Sequence, residues 1–313
     1  MTDVLIPPDL SPEDLRSPVG CRSFSLSGDT MGTNWQVRGY LPEDQTEAAA
    51  QFAISAVHRR CIEIFSTWET TSFISRFNAA DKGTVFQPPD DFETVWNAAI
   101  EIAAATGGAF NPCLGNITRL HGFGPSHAVR SANLHEHVWQ GDPICRDDGT
   151  IMQPGQIELD LSAIAKGYAI DGMSRALAGL GIEACLCEIG GEFVGRGVRE
   201  DRQPWWLDIE PITPDQPHFR VAACNLALAT SGNTYKRKAG HSHIRETRNP
   251  ESQNRRSVSV FADTAMMADA WATALYALGR DGPACADQHE IAALFQSETS
   301  EPVLSPKLQG YLG

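Results

Sequence analysis

Residues 264–279 read TAMMADAWATALYALG, a helical run that looks made for burial and ends at Gly279, as helices commonly do. A chain that carries such a helix needs a core to receive it. The run nevertheless keeps one acid, Asp269, and a hydroxyl four positions later, Thr273. Positions i and i+4 share a helix face. An ionised carboxylate among apolar neighbours is costly unless it is paired or bound to a metal. Spacing alone leaves two uses open. Carboxylate, hydroxyl and carbonyl oxygens suit a hard cation such as Mg2+, whereas a buried aspartate can equally cap a loop or pair with an arginine.

The chain has 313 residues, enough for one large domain or two closely packed ones. Its net charge of −14 argues against a general phosphate-backbone binder, which normally shows a basic excess. An anionic ligand would have to be held by local groups or a metal. Eight cysteines are present without a CxxC pair or zinc-site spacing, and they read as scattered, reduced and mostly buried thiols. Cys185 and Cys187 alternate as a strand would, facing one side. The acidic, proline-rich start lacks the basic and apolar segments of a secretion signal, and no run is long enough for a membrane helix. The expected location is cytoplasmic as written, periplasmic if the N-terminus was trimmed.

Residues 1–20 read as a flexible arm, followed by a single domain over 21–313. FSLSGDTMGTNWQVRGYL alternates around a Gly-containing break, as a strand pair or bulged strand does. TEAAAQFAISAVHRRCIEIFSTW, SFISRFN and DDFETVWNAAIEIAAATGG have helical character, the last stopped by Gly107 and Gly108. Residues 121–156 read as loop with a weak strand at HEHVWQ. IELDLS, WWLDIEPI, FRVAACNLALAT and RRSVSVFAD read as strands, AIAKGYAIDGMSRALAGLG as a helix, and EIAALFQS as a strand or helix. ACLCEIGGEFVGRG is a strand broken by a double glycine. No regular βαβ rhythm appears and no linker-like composition interrupts the middle, so the expected class is α+β.

Three further clusters could carry chemistry. In LDLSAIAKGYAID, Ser162 or Asp160 could cap a new helix, whose free N–H groups favour an anion, with Lys166 adding charge one turn in; an exposed lysine on an ordinary helix fits the pattern as well. Gly190 and Gly191 in CEIGGEFVGRG mark a bulge, a hairpin bend, or close approach of a ligand to bare backbone. In ATSGNTYKRKAGHSHI, Thr230, Ser231 and Gly232 end a strand with small donors. His241 and His243 follow; one could serve as a base, since histidine titrates near neutrality, and plain surface histidines fit the pattern as well.

Taken together and in order, DTMGTNWQV, FSTWETTSFISRFN, GAFNPCLG, LHGFG, LDLSAIAKGYAID, EIGGEFVGRG, LATSGNTYKR, SHI and ADAWATAL resemble the FAD:protein FMN transferase (ApbE) family, from about residue 28 to residue 280. The resemblance implies mixed sheets packed with helices in an ApbE-like, T-fold-like architecture. It also implies a reaction. Members split FAD at its pyrophosphate, attach FMN through a phosphoester to a Thr or Ser of an acceptor flavoprotein, and release AMP. Mg2+ would be held by Asp269, Thr273 and a backbone carbonyl of the LSAIAKG turn, best assigned to Ala163.

Carried over residue by residue, the resemblance puts Met31, Gly32 and Thr33 beside the flavin. Trp68 stands where the family often has an aromatic residue able to stack on a flavin or adenine ring. Asn78, Phe110 and Asn111 border the pocket. Lys166 and Asp171 match the KGYxxD segment; Glu188, Gly190 and Gly191 match the double-glycine segment beside the nucleotide; Thr230, Ser231 and Gly232 match the TSG loop. His243 is the first candidate base for the acceptor hydroxyl and Asp171 the second.

The sequence departs from the family at Asn111, where Asp is usual, and at HIRETRNP, which replaces HIIDP and has no Asp before Pro250. The family's frequent lipoprotein signal is not expected here, since Cys21 in SPVGC has no preceding apolar run and does not read as a lipid anchor. Two rival functions share these residues: a Mg2+-dependent FAD pyrophosphatase that uses water, and a non-catalytic FAD-binding protein.

Overall fold

The computed structural model describes residues 2–12, 14–120, 124–125, 141–155, 157–233, 237–238, 241–242 and 255–313. In chain order the elements begin with β1 (Thr2–Leu5), β2 (Arg22–Thr30), β3 (Thr33–Leu41), α1 (Glu47–Phe65), α2 (Phe73–Ala79), β4 (Val85–Phe86), α3 (Asp90–Ala105), α4 (Gly115–Leu120), β5 (Ile151–Met152) and α5 (Ser162–Ala178). There follow β6 (Cys185–Ile189), β7 (Glu192–Arg196), β8 (Trp205–Ile209), β9 (His218–Ala223), β10 (Leu226–Gly232), β11 (Arg237–Lys238), β12 (His241–Ser242), β13 (Arg256–Ala262), α6 (Ala265–Leu278), α7 (Gly282–Gln288), β14 (Ala292–Ser297), β15 (Ser300–Leu304) and α8 (Pro306–Gln309).

Three layers result. An eight-stranded sheet, ordered β15-β14-β13-β10-β7-β6-β3-β2, has the helices on one face and a three-stranded sheet, β1-β9-β8, on the other. The period-2 alternation of the strands explains how one sheet serves two cores. Cys185, Cys187, Ile189, Ala227, Ala229, Val258 and Val260 face the helices. Leu186, Leu226, Leu228 and Phe261 face the small sheet with Trp205, Leu207, Phe219 and Val221. Each fully buried aliphatic or aromatic side chain contributes about 2 kcal/mol to such cores. The α6 helix lies in the helical layer with Ala268, Ala270, Ala272, Ala274 and Leu275 buried, as its composition requires. The expected α+β class holds, and the alternating segment after Cys21 is the β2–β3 hairpin.

Several local expectations are corrected. Thr2–Leu5, inside the stretch expected to be a flexible arm, pairs parallel with β9, and Leu5 is fully buried in the second core. FRVAACNLALAT is two strands, β9 and β10, in different sheets. The chain turns at Cys224 and Asn225, the latter in the left-handed region at φ 47° with its Oδ1 accepting from the Gly197 N–H. IELDLS is no strand: Glu158 makes a single bridge with Leu114, and neighbouring backbone groups are satisfied by loops. The Glu158 carbonyl accepts from Gly115, Asp160 N–H donates to Pro112, and Leu159 is held by the Asn78 amide. Within 121–156, Ile151–Met152 pairs with Val85–Phe86, while HEHVWQ lies outside the described residues. EIAALFQS yields the strand β14. Among the described residues no helix is long and apolar enough to cross a membrane.

Candidate active site

Two aspartates join α5 and α6. Asp171 of α5 accepts from the Ala265 and Met266 N–H groups at 2.8 and 3.0 Å, satisfying free donors of the first turn of α6. Thr264 caps the same turn by accepting from Met267 N–H. In return Asp269 of α6 accepts from Gly167 N–H of α5 at 3.2 Å. In an unperturbed helix that N–H would close on the Ala163 carbonyl. The helices come this close because residue 167 is glycine: a Cβ there would sit 2.1 Å from the Ala265 carbonyl oxygen.

The approach places Asp269 at the floor of a cleft of about 660 Å³, a volume typical of small-molecule sites. Asp269 and Thr273 both line it, together with Ala163 and Lys166 from the start of α5. The lining also includes backbone-rich turns. Gly190 and Gly191 form the two-residue turn of the β6–β7 hairpin, with φ of 62° and 98° as a type I′ turn requires. Thr230, Ser231 and Gly232 close β10 beside it. Ser231 and Thr273 hydroxyls lie 3.1 Å apart, and Thr230 reaches the Ser259 hydroxyl at 2.8 Å. Phe110 and Asn111 line the cleft; Asn111 Oδ1 accepts from Cys113 N–H in a local turn. Asp160 Oδ1 accepts from Ser162 N–H and so leads the chain into α5.

The Lys166 ammonium is in contact with the Glu192 carboxylate and 3.5 Å from Asp269 Oδ1. Burial alone would lower the lysine pKa; the neighbouring Asp269 and Glu192 carboxylates overcome it and hold the ammonium well above its ordinary value. The cluster is thus one ammonium between two carboxyl groups. Glu192 is buried and was not among the residues expected from sequence. In the sequence only its place, directly after the double glycine, sets it apart.

Other expected residues fall outside the lining. Met31 and Gly32 form the β2–β3 turn, with φ of 49° and 74°. Thr33 packs against the second hairpin turn: a Cβ on Gly190 would meet its Cγ2 at 2.9 Å, and Gly190 N–H donates to the Asn34 carbonyl. These three residues thus sit beside the cleft wall without forming it. Glu188 Oε1 accepts from Gly191 N–H, bracing the turn from behind. Asn78 borders a smaller cavity of about 300 Å³, which shares Thr118 and Asp160 with the main cleft; its amide clamps the Leu159 backbone. Trp68 is 64% exposed, on a loop whose Thr67 and Thr70 line that smaller cavity. Asp171 is not in the lining of either cavity, and each of its oxygens accepts an N–H from the first turn of α6. His243 lies outside the described residues.

A double-glycine hairpin, a small-residue strand end and an oxygen-lined helix pair thus meet around one cleft. The chain belongs to the ApbE family, whose profile matches residues 31–295. It is similar to the FAD:protein FMN transferase of Haemophilus influenzae, 30% identical over 283 residues, 82% of this chain and 81% of that protein. The FAD:protein FMN transferase of Vibrio cholerae serotype O1 is 30% identical over 300 residues, 88% of each chain. Among solved structures, a variant of the Vibrio cholerae flavin transferase ApbE superposes with a TM-score of 0.81 at 26% identity, covering 93% of this chain and all (100%) of that one.

Proposed function

We propose that this chain is an FAD:protein FMN transferase that uses a divalent cation, Mg2+, at Asp269 and Thr273. One observation carries the cation reading: the carboxylate and hydroxyl of α6 line the same cleft as Ala163 and Lys166. The donors are all oxygens, as a hard cation prefers, and the cluster has two carboxyl groups to one ammonium. A diphosphate entering it unaided would meet repulsion. Among the described residues no three His, Cys, Asp or Glu side chains are gathered to hold a metal. Mg2+ keeps few protein ligands and fills its shell with water and phosphate oxygens. Bound there, Mg2+ would neutralise charge on the diphosphate and on the departing AMP.

The chain's own residues supply binding and orientation. Gly190 and Gly191 offer bare backbone, Phe110 an apolar face, and Lys166 a cation for phosphate oxygens. In the transfer, the acceptor Thr or Ser oxygen forms a bond to the FMN phosphorus. The bond from that phosphorus to the bridging oxygen breaks, and AMP leaves with the electron pair. The hydroxyl proton passes to a base, for which His243 remains the proposal.

Mass spectrometry of a Thr-containing acceptor after incubation with enzyme, FAD and Mg2+ tests the reading. The expected result is a gain of one FMN phosphoester unit that disappears when the metal is chelated. Free FMN and AMP with an unmodified acceptor would instead define a pyrophosphatase, and FAD bound without turnover a carrier.

A further inference from the structure

We infer that Glu192 is a positioning residue that parks the Lys166 ammonium and thereby keeps Asp269 open to a divalent cation. The inference rests on the assignment of Asp269 as a cation ligand. Its basis is the asymmetry of the charged cluster. Lys166 stands between two buried carboxylates, in contact with one and 3.5 Å from the other. Asp269 is fixed, because Oδ2 accepts from Gly167 N–H and α6 is anchored at its first turn by Asp171. Glu192 is fixed as well, at the start of β7 directly after a two-residue turn, with its side chain only 8% exposed. The flexible partner is the lysine, and its position follows from which carboxylate holds it more closely.

Without the Glu192 charge, the ammonium has Asp269 as its remaining acidic contact in this cluster. A buried pair of opposite charges in direct contact is strongly attractive at low dielectric. A cation would then have to displace the ammonium before reaching the carboxylate. With Glu192 in place the ammonium is drawn toward β7 and keeps only a long, 3.5 Å bond to Asp269 Oδ1, which a cation has less to displace. Glu192 would also return Lys166 to one place after each release of a phosphate product.

The test is Mg2+ binding to the full chain by titration calorimetry, without FAD and independent of turnover. Asp269→Ala serves as the reference for the underlying assignment and should lose the binding signal. If it binds like the parent, the cation site itself is wrong. With that reference in place, Glu192→Gln should weaken Mg2+ by about tenfold or more, the scale found when a group supporting a metal ligand is removed. Adding Lys166→Met to Glu192→Gln should restore the lost affinity, because the competing ammonium is gone. A Glu192→Gln chain that binds Mg2+ as tightly as the parent overturns the inference. So does a double variant that stays as weak as Glu192→Gln, which would make Glu192 a direct ligand. Should Glu192→Gln fail to fold, Lys166→Met alone decides: it must bind Mg2+ more tightly than the parent, and equal or weaker binding overturns the inference.

Discussion

Asp171 and Asp269 are the same residue type, buried in the same helix pair, and each accepts N–H groups from the opposite helix. They end up with different work. Both oxygens of Asp171 accept from the first turn of α6, and Asp171 is not among the residues lining the cleft. Asp269 gives one oxygen to Gly167 and turns the other toward Lys166 and the cleft. Burial and hydrogen bonding to backbone do not by themselves mark a functional carboxylate. What distinguishes Asp269 is an oxygen left facing a space a ligand can enter, with Thr273 one turn away on the same wall.

That contrast can be broken most directly at Asp269. Asp269→Ala should lower FMN transfer by about 10²-fold or more, as removal of a group that organises transition-state charge does. Its thermal midpoint should fall less than that of Asp171→Ala, because one helix-to-helix N–H bond is lost instead of two and Lys166 keeps Glu192. Asp171→Ala should show the reverse pattern, with a lowered midpoint and activity that tracks the folded fraction. Activity assays run beside scanning calorimetry would abolish the distinction if the two variants behaved alike.

Gly167→Ala strikes both aspartates at once. The new Cβ would lie 2.1 Å from the Ala265 carbonyl oxygen, on backbone that cannot rotate away. Helices α5 and α6 must separate, which loosens the bonds from Asp171 to Ala265 and from Gly167 to Asp269. Overpacking of this kind costs about 3 kcal/mol. Urea unfolding should show that loss, and Mg2+ affinity should fall with it. A variant of parental stability would mean that the helix pair is not held this tightly.

Asp269 and Thr273 were legible in the sequence because helical spacing puts i and i+4 together and the surrounding residues are apolar. Asp171 was legible as a polar residue in α5 but not as a structural one, since its partners lie near residue 265, far along the chain. Glu192 was missed for a related reason. In EIGGEFVG a glutamate at a strand start looks the same whether its side chain faces water or a lysine on another element. Helices α1, α3, α5 and α6 could be read from period and glycine stops. The break between β9 and β10 could not, because Cys224–Asn225 carries neither Gly nor Pro. The small sheet depends on β1 pairing with β9, a contact between distant parts of the chain that no local pattern encodes.

The remaining predictions separate buried groups by the sign of their pH dependence. His58 lies between the sheet and the helices, its ring 5.3 Å from that of Trp35 and its Nε2 3.2 Å from Met173 Sδ. Burial lowers its pKa from 6.5 to about 4. The unfolded chain therefore takes up the proton first, and stability complete above pH 6.5 is lost as pH falls toward about 4, by about 3 kcal/mol for a shift of that size. His58→Phe should flatten this limb in urea unfolding measured from pH 7 to pH 4.

Asp171 runs the other way and more weakly. Burial raises its pKa above the ordinary carboxylate value of 3.8, partly offset by the Met266 and Ala265 N–H groups. The folded chain thus holds this proton longer than the unfolded one. The contribution is present in full below 3.8 and is lost as pH rises through the raised value. In the parent protein the steeper His58 limb covers it. In the His58→Phe background it should appear as a stability difference between Asp171 and Asp171→Asn that shrinks as pH rises from about 4. A difference that grows with pH would mean that the α6 N–H groups outweigh burial. Asp171 would then be held below its ordinary pKa by the same kind of bonds that fix Asp269.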